Sequence, residues 1–299
     1  MIHWFERVPA DSVFLKTSER VWTYRQIRDA IASRAIQKVV TVRPRLDAEG
    51  VMSLLAGMAG GGALVAGPND DPGPVENIEG AALVAYTSGS SGTPKGVRLT
   101  MGNLDAASRA SAIHLGHDDG DTWLLAMPLN HVGGMSILVR SAYTGGAVRL
   151  ESGFAPERFA EALHDDVTLA SVVPTMLKRL LDHDAGPYRG LKAVLVGGGP
   201  IPEGLLERAV AAGLPVLPTY GMTETFGQVA TLRPGSPIQR KADPLPGVEA
   251  RVDDSGRIAL KSDQISPGYL GEPDRDDEWF VTSDIGEIDD DGAIRVLRR

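Results

Sequence analysis

From Ala81 to Gly221 the chain alternates apolar runs with amphipathic stretches, and glycine and proline stand at most of the boundaries. "AALVAYT", "DTWLLAMP", "AVRLE", "TLASVVP", "LKAVLVGGG" and "PVLPTYG" read as strands. Between them, a segment over about Asn103–Leu115, "GGMSILVRSAYTG", "APERFAEALHD", "PTMLKRLLDHD" and "PEGLLERAVAAG" read as helices. Successive strands joined by helices pair side by side and parallel, with the helices covering the sheet. The fold class expected is therefore α/β, a multilayer core with mainly parallel sheets.

The flanks differ from this core. Residues 1–67 hold the short strands "VFLK" and "VWTY" and a helix "TYRQIRDAIASRAI", with Ile27, Ala30, Ile31 and Ala35 on one face and Thr23 as its N-cap. "PNDDPGPVENIEG", residues 68–80, reads as a linker. After 81–235, residues 236–299 turn into short β-like pieces, with "DDDG" at Asp289–Gly292 as a hairpin turn. A small antiparallel β-barrel is expected there. Asp289, Asp290 and Asp291 are read as solvated turn residues rather than metal ligands.

Composition excludes several roles. With 299 residues, 42% of them hydrophobic, the chain can bury a sizeable core. A net charge of -9 argues against a nucleic-acid partner, which would ask for a basic face. The absence of cysteine removes disulfides and thiolate metal sites and fits a cytoplasmic location. The N-terminal "MIHWFERVPADS" has no apolar signal core. The uncharged run Val51–Gly67 is short for a membrane span and holds five glycines, so it reads as a packed helix turning into a strand. No membrane insertion is expected.

"YTSGSSGTPKGVRLT", Tyr86–Thr100, does not suit a packed core. Gly89, Gly92 and Gly96 let the backbone approach a ligand closely, and successive N–H groups in such a loop form an anion nest. Thr87, Ser88, Ser90, Ser91 and Thr93 add hydroxyl donors, and Lys95 adds a point charge. It is not a Walker A loop, because Lys95 lies between Pro94 and Gly96 and no hydroxyl follows it. A plain surface turn needs far fewer such residues.

This string resembles the phosphate-binding signature of the adenylate-forming enzymes, and further motifs follow in order. "PLNHVGGMSIL" is similar to their histidine-bearing segment, which implies His131 beside the acyl carboxylate. "LVGGGPIP" is similar to the loop along the adenine, with Gly198, Gly199 and Pro200. "PTYGMTET" implies Tyr220 packed on adenine, Thr223 on phosphate and Glu224 as the magnesium ligand, with Thr219, Gly221 and Met222 lining the same site. "WFVTSDIG" resembles the ribose segment, with Ser283 where the family has glycine, and implies that Asp284 accepts both ribose hydroxyls. Arg299 matches the hinge arginine. The resemblance implies Lys95, His131, Thr223 and Glu224 as catalytic residues, and ATP, Mg2+ and CoA as cofactors and co-substrates. The acyl pocket is implied at His131, Val132, Gly133, Pro174, Thr175, Gly197 and Gly221. These pocket segments are most similar to those of the o-succinylbenzoate–CoA ligases, which implies that acid as substrate. Another acid, or a non-catalytic nucleotide-binding module, is the alternative reading.

The partners expected are an acid, ATP and CoA, with a homodimer as the one protein assembly considered. Two departures from the family pattern shape the expectation. The region before the phosphate loop is shorter than in most relatives. The C-terminal lid, which carries a further lysine, is expected to be absent, so that this chain would bind nucleotide or acyl-adenylate but turn over poorly.

Overall fold

The computed structural model describes residues 1–67, 75, 78, 80–87 and 95–298. A short helix α1 (Ile2–Glu6) and the hairpin β1 (Val13–Lys16) and β2 (Val21–Thr23) precede α2 (Tyr24–Arg34), β3 (Val40–Val42), α3 (Ala48–Ala59) and β4 (Ala63–Val65). Next come β5 (Leu83–Thr87), β6 (Lys95–Leu99) and α4 (Met101–Leu115). The alternating core follows as β7 (Thr122–Leu125), α5 (Val132–Thr144), β8 (Ala147–Leu150), α6 (Pro156–His164), β9 (Leu169–Val172), α7 (Pro174–His183), β10 (Ala193–Val196), α8 (Leu205–Ala211) and β11 (Val216–Met222). A 3-10 turn, Thr223–Thr225, leads into β12 (Gly227–Thr231) and β13 (Asp243–Pro244). β14 (Glu249–Val252), β15 (Arg257–Lys261), β16 (Gly268–Tyr269), β17 (Phe280–Ile288) and β18 (Ile294–Arg298) complete the chain.

A nine-stranded sheet runs in the order β13-β12-β11-β10-β9-β7-β8-β1-β2. Its centre, from β11 through β10, β9, β7 and β8 to β1, is parallel, as the alternation predicts. Antiparallel strands close both ends. A five-stranded sheet, β16-β6-β5-β4-β3, stands apart from it. The strands before residue 67 divide between the two sheets: β1 pairs with β8, and β4 pairs with β5. A third, four-stranded sheet is antiparallel in the order β14-β15-β17-β18. It is open, since no pairing joins β14 to β18 among the described residues, so the closed barrel expected from the sequence is not present at this level.

Local chemistry accounts for the helix ends. The Thr23 hydroxyl accepts from Gln26 N while Gln26 Oε1 accepts from Thr23 N, so a capping box starts α2. Thr100 and Asn103 do the same for α4, which begins two residues before Asn103 for that reason. Gly116 and Gly145 end α4 and α5 in the left-handed conformation. The main core lies between the sheets and contains Trp4, Phe14, Tyr24, Trp123 and Phe226. A second core, with Phe159, Leu177 and Leu180, lies under α6–α8 on the other face of the nine-stranded sheet. The expected turn at Asp289–Gly292 joins β17 to β18: Gly292 N donates to the Asp289 carbonyl at 2.9 Å, and Asp289 Oδ2 takes Lys241 Nζ at 2.6 Å. Most of the expected linker 68–80 lies outside the described residues. No helix among the described residues is long and apolar enough to cross a membrane.

Candidate active site

The loops at the carboxyl ends of β7, β9, β10 and β11 carry the motifs, and these strands are neighbours in the sheet. That is the edge where open α/β sheets hold ligands. The 3-10 turn after β11 packs against both β5 and β6, bringing the five-stranded sheet to the same place.

The Gly/Ser loop joins two antiparallel strands, with Thr87 on β5 opposite Lys95 on β6. The expectation of a loop running straight into a helix therefore needs correcting. "KGVRL" alternates Gly96 and Arg98 with Lys95, Val97 and Leu99, and forms a strand before α4. Ser88, Gly89, Ser90, Ser91, Gly92 and Thr93 lie outside the described residues, as does Arg299. Lys95 Nζ approaches Glu272 Oε1 at 3.2 Å and lies 4.6 Å from the centre of the Tyr269 ring.

Glu224 is half-buried in the 3-10 turn, and its carbonyl accepts Ser266 N at 2.7 Å. Its Oε1 accepts the Tyr269 hydroxyl at 3.0 Å. No cluster of three metal-ligating side chains occurs among the described residues. One carboxylate suits Mg2+ that keeps its waters and takes its other ligands from phosphate, rather than a protein cage. Thr223 opens the turn, and its hydroxyl makes no hydrogen bond among the described residues.

Tyr220 and Asp284 come from β11 and β17, 64 residues apart, and meet at 2.8 Å, with the Tyr220 hydroxyl donating to Asp284 Oδ2. Asp284 is buried, and its N–H donates to the Thr282 hydroxyl at 3.1 Å. Gly197 is a packing glycine, because a Cβ there would lie 2.6 Å from Thr219 Cγ2. Gly198 takes a φ of +79° beside Val173, which sets the β10 loop against the start of α7 at Pro174. Around Gly199 a Cβ would meet nothing within 4 Å, and Pro200 is exposed, so this loop does offer open backbone to a flat ligand.

Two residues expected in the nucleotide site have structural duties as well. The Thr219 hydroxyl donates to the Ala230 carbonyl and pairs with the Thr231 hydroxyl, so it is engaged in the β11–β12 pairing. Gly221 faces the same strand: a Cβ there would sit 1.9 Å from the Gly227 carbonyl oxygen. Met222 packs on the small core under β15 and β18. In the expected acyl pocket, His131 is exposed at the N-cap of α5 and makes no side-chain capping bond. Val132 and Gly133 are half-buried behind it, Pro174 is buried at the first turn of α7, and Thr175 is exposed.

The motifs do not include Arg140, which the structure brings into prominence. It sits on α5, is 2% exposed, and its Nε and Nη2 have no hydrogen-bond partner among the described residues. Burial lowers its pKa to about 10. A Cβ built on Gly227 would lie 3.9 Å from both Arg140 Nη2 and Ser136 Oγ. The guanidinium therefore lies just beyond the turn that carries Glu224. His117 is buried too, edge-on to Trp123 at 5.7 Å, and neither ring nitrogen has a partner among the described residues. Burial, then the Arg140 charge, lowers its pKa to about 4, so it is neutral near pH 7. A lone arginine in the apolar stretch "GGMSILVRSAYTG" was the available signal for Arg140. His117, at the end of α4, carried none.

Comparison with known proteins accords with this geometry. A 2-succinylbenzoate–CoA ligase of Geobacillus kaustophilus is 38% identical over 261 residues, covering 80% of this chain and 53% of the relative. The chain spans about half the length of the curated relatives it matches. O-succinylbenzoate coenzyme A synthetase from Bacillus subtilis, solved in complex with ATP and magnesium ion, superposes with a TM-score of 0.85 at 25% identity, covering 100% of this chain and 79% of that one. A malonyl-CoA ligase solved with methylmalonyl-CoA and AMP also gives 0.85, at 27% identity, covering 100% and 81%. The family model for AMP-binding enzymes matches residues 10–270, and on that match, with the ordered motifs and the fold behind it, the chain belongs to the AMP-binding enzyme family.

Proposed function

We propose that this chain furnishes the nucleotide and acid sites of an AMP-forming acid–thiol ligase, and that its acid is o-succinylbenzoate. The observation that carries the choice of acid is Arg140. A buried cation without a counter-ion is costly, and it is relieved when an anion of matching geometry reaches it. An acid with two carboxylates meets both needs of the site: one is activated while the other pairs with the guanidinium.

In this reading a carboxylate oxygen of the acid attacks the α-phosphorus of ATP and the bond to pyrophosphate breaks. The sulfur of CoA then attacks the acyl carbon, and AMP leaves with the electrons of the acyl–oxygen bond. The protein's part is positioning and charge neutralisation. Lys95 and Thr87, at the stem of the 88–94 loop, face the phosphates. Tyr220 and the Gly198–Pro200 loop hold the adenine. Asp284, oriented by Tyr220, accepts from the ribose. His131 stands at the mouth of the acid pocket. Glu224 would hold Mg2+, which when bound neutralises phosphate charge. Residues 81–235 and 236–299 each supply one side of this site. A cytoplasmic location and a homodimer belong to the same proposal.

Calorimetric titration with non-hydrolysable acyl-adenylate analogues tests it. The succinylbenzoyl analogue is expected to bind at least ~100-fold more tightly than the benzoyl one, about 2.7 kcal/mol. Equal affinities would reject the acid, and no binding of either would reject the adenylate site.

A further inference from the structure

Lys95 and Glu224 lie on separate elements, β6 and the 3-10 turn, yet one residue outside the site motifs touches both. The Tyr269 hydroxyl donates to Glu224 Oε1 at 3.0 Å, and its ring lies under Lys95 Nζ at 4.6 Å. Tyr269 is fixed by the pairing of β16 with β6, opposite Val97, and the next residue, Leu270, donates its N–H to the Gly96 carbonyl at 2.7 Å. Three residues beyond Tyr269, Glu272 Oε1 lies 3.2 Å from Lys95 Nζ. The segment 268–272 is thus a strap that engages both the lysine and the carboxylate that the family reading gives to ATP and magnesium.

We propose that Tyr269 is a positioning residue for the triphosphate and its magnesium, and that Glu272 is the resting counter-ion of Lys95 that the triphosphate displaces. The inference rests on the adenylate-forming reading above. With Oε1 of Glu224 held by the tyrosine, Oε2, which makes no hydrogen bond among the described residues, would be the oxygen left to take the metal. Such orienting partners typically contribute 10–100-fold to metal affinity. The lysine's other contacts are built to yield. Its pair with Glu272 is half-exposed on both sides, 48% and 52%, and exposed pairs are weak. A triphosphate offers several negative charges in exchange, while the ring keeps the ammonium in place at the start of β6.

The test is the magnesium dependence of ATP binding, measured by calorimetry on this chain. Wild-type protein comes first: if it does not bind ATP with Mg2+ at all, the adenylate-forming reading fails and this inference falls with it. Given wild-type binding, Tyr269→Phe keeps the ring under Lys95 and removes the donor. It is expected to raise the Mg2+ concentration for half-maximal ATP binding about tenfold, with metal-free ATP affinity unchanged. Glu272→Gln is expected to act in the opposite direction, tightening ATP binding about threefold. A merely structural tyrosine would lower Tm and leave the Mg2+ half-saturation point where it was. An unchanged Mg2+ dependence in Tyr269→Phe, or weaker ATP binding in Glu272→Gln, would overturn the proposal. The surface variant Glu272→Gln keeps the test decisive if Tyr269→Phe folds poorly.

Discussion

Replacing Arg140 by methionine should make the free protein more stable and the liganded one far weaker. In the free chain the guanidinium is 2% exposed, with Nε and Nη2 unpartnered among the described residues. Its pKa drops from the ordinary 12.5 to about 10, which corresponds to a charging cost of about 3 kcal/mol in the folded state. The sign follows from linkage. A cation whose folded pKa lies below its unfolded one carries the full penalty at every pH below the folded value, so the cost is complete at pH 7. Methionine keeps the apolar stem without the charge. The unfolding entropy of a chain of 299 residues is about 0.6 kcal/mol/K, so removing the penalty should raise Tm by about 5 °C. Binding should move the other way. Breaking a buried ion pair typically costs 3–5 kcal/mol, so a succinylbenzoyl-adenylate analogue should lose at least ~100-fold in affinity. A benzoyl analogue, which has no second carboxylate, should lose little. Differential scanning calorimetry and titration on the same preparation supply both numbers. An Arg140→Met protein that melts at lower temperature, or that loses both analogues equally, refutes the reasoning.

Three further outcomes follow from the same geometry. His117, with a folded pKa of about 4 against an ordinary 6.5, takes its proton more readily in the unfolded chain, so its contribution to stability falls as the pH drops from 6.5 towards 4. Between pH 7 and pH 5 that loss is about 2 kcal/mol, and urea denaturation at the two pH values should show it shrinking in His117→Leu. Gly221→Ala places a Cβ where 1.9 Å separates it from the Gly227 carbonyl, which should cost about 3 kcal/mol or more and open the β11–β12 pairing, visible as a lower urea midpoint. Asp284→Asn should weaken AMP binding about 10- to 100-fold while leaving adenine binding unchanged, because only a ribose partner depends on the carboxylate charge.

The alternating core was legible from sequence because each helix and strand there buries its own apolar face on a fixed period, which needs no knowledge of its neighbours. The string Tyr86–Thr100 stands out in the sequence for a similar reason, since glycines, hydroxyls and a lysine lie in one continuous stretch, of which residues 88–94 fall outside the described residues. β6 and β12 are among the strands that escaped that reading. β6 hides behind the loop as five residues, "KGVRL", and β12 begins only because Phe226 and Gly227 adopt positive φ and turn the chain back. Both are short, and both exist through pairing with β5 and β11 rather than through their own pattern.

By itself the sequence determined the parallel core and the Thr23 cap of α2, both of which depend on neighbours in the chain. Tertiary structure alone decided that Tyr220 meets Asp284 across 64 residues, that Tyr269 joins Lys95 to Glu224, and that Arg140 is buried with no counter-ion among the described residues. The physical reason is that burial and pairing of charges are properties of what packs against a residue. A histidine or arginine in a string carries no mark of whether water, an anion or an apolar wall will surround it.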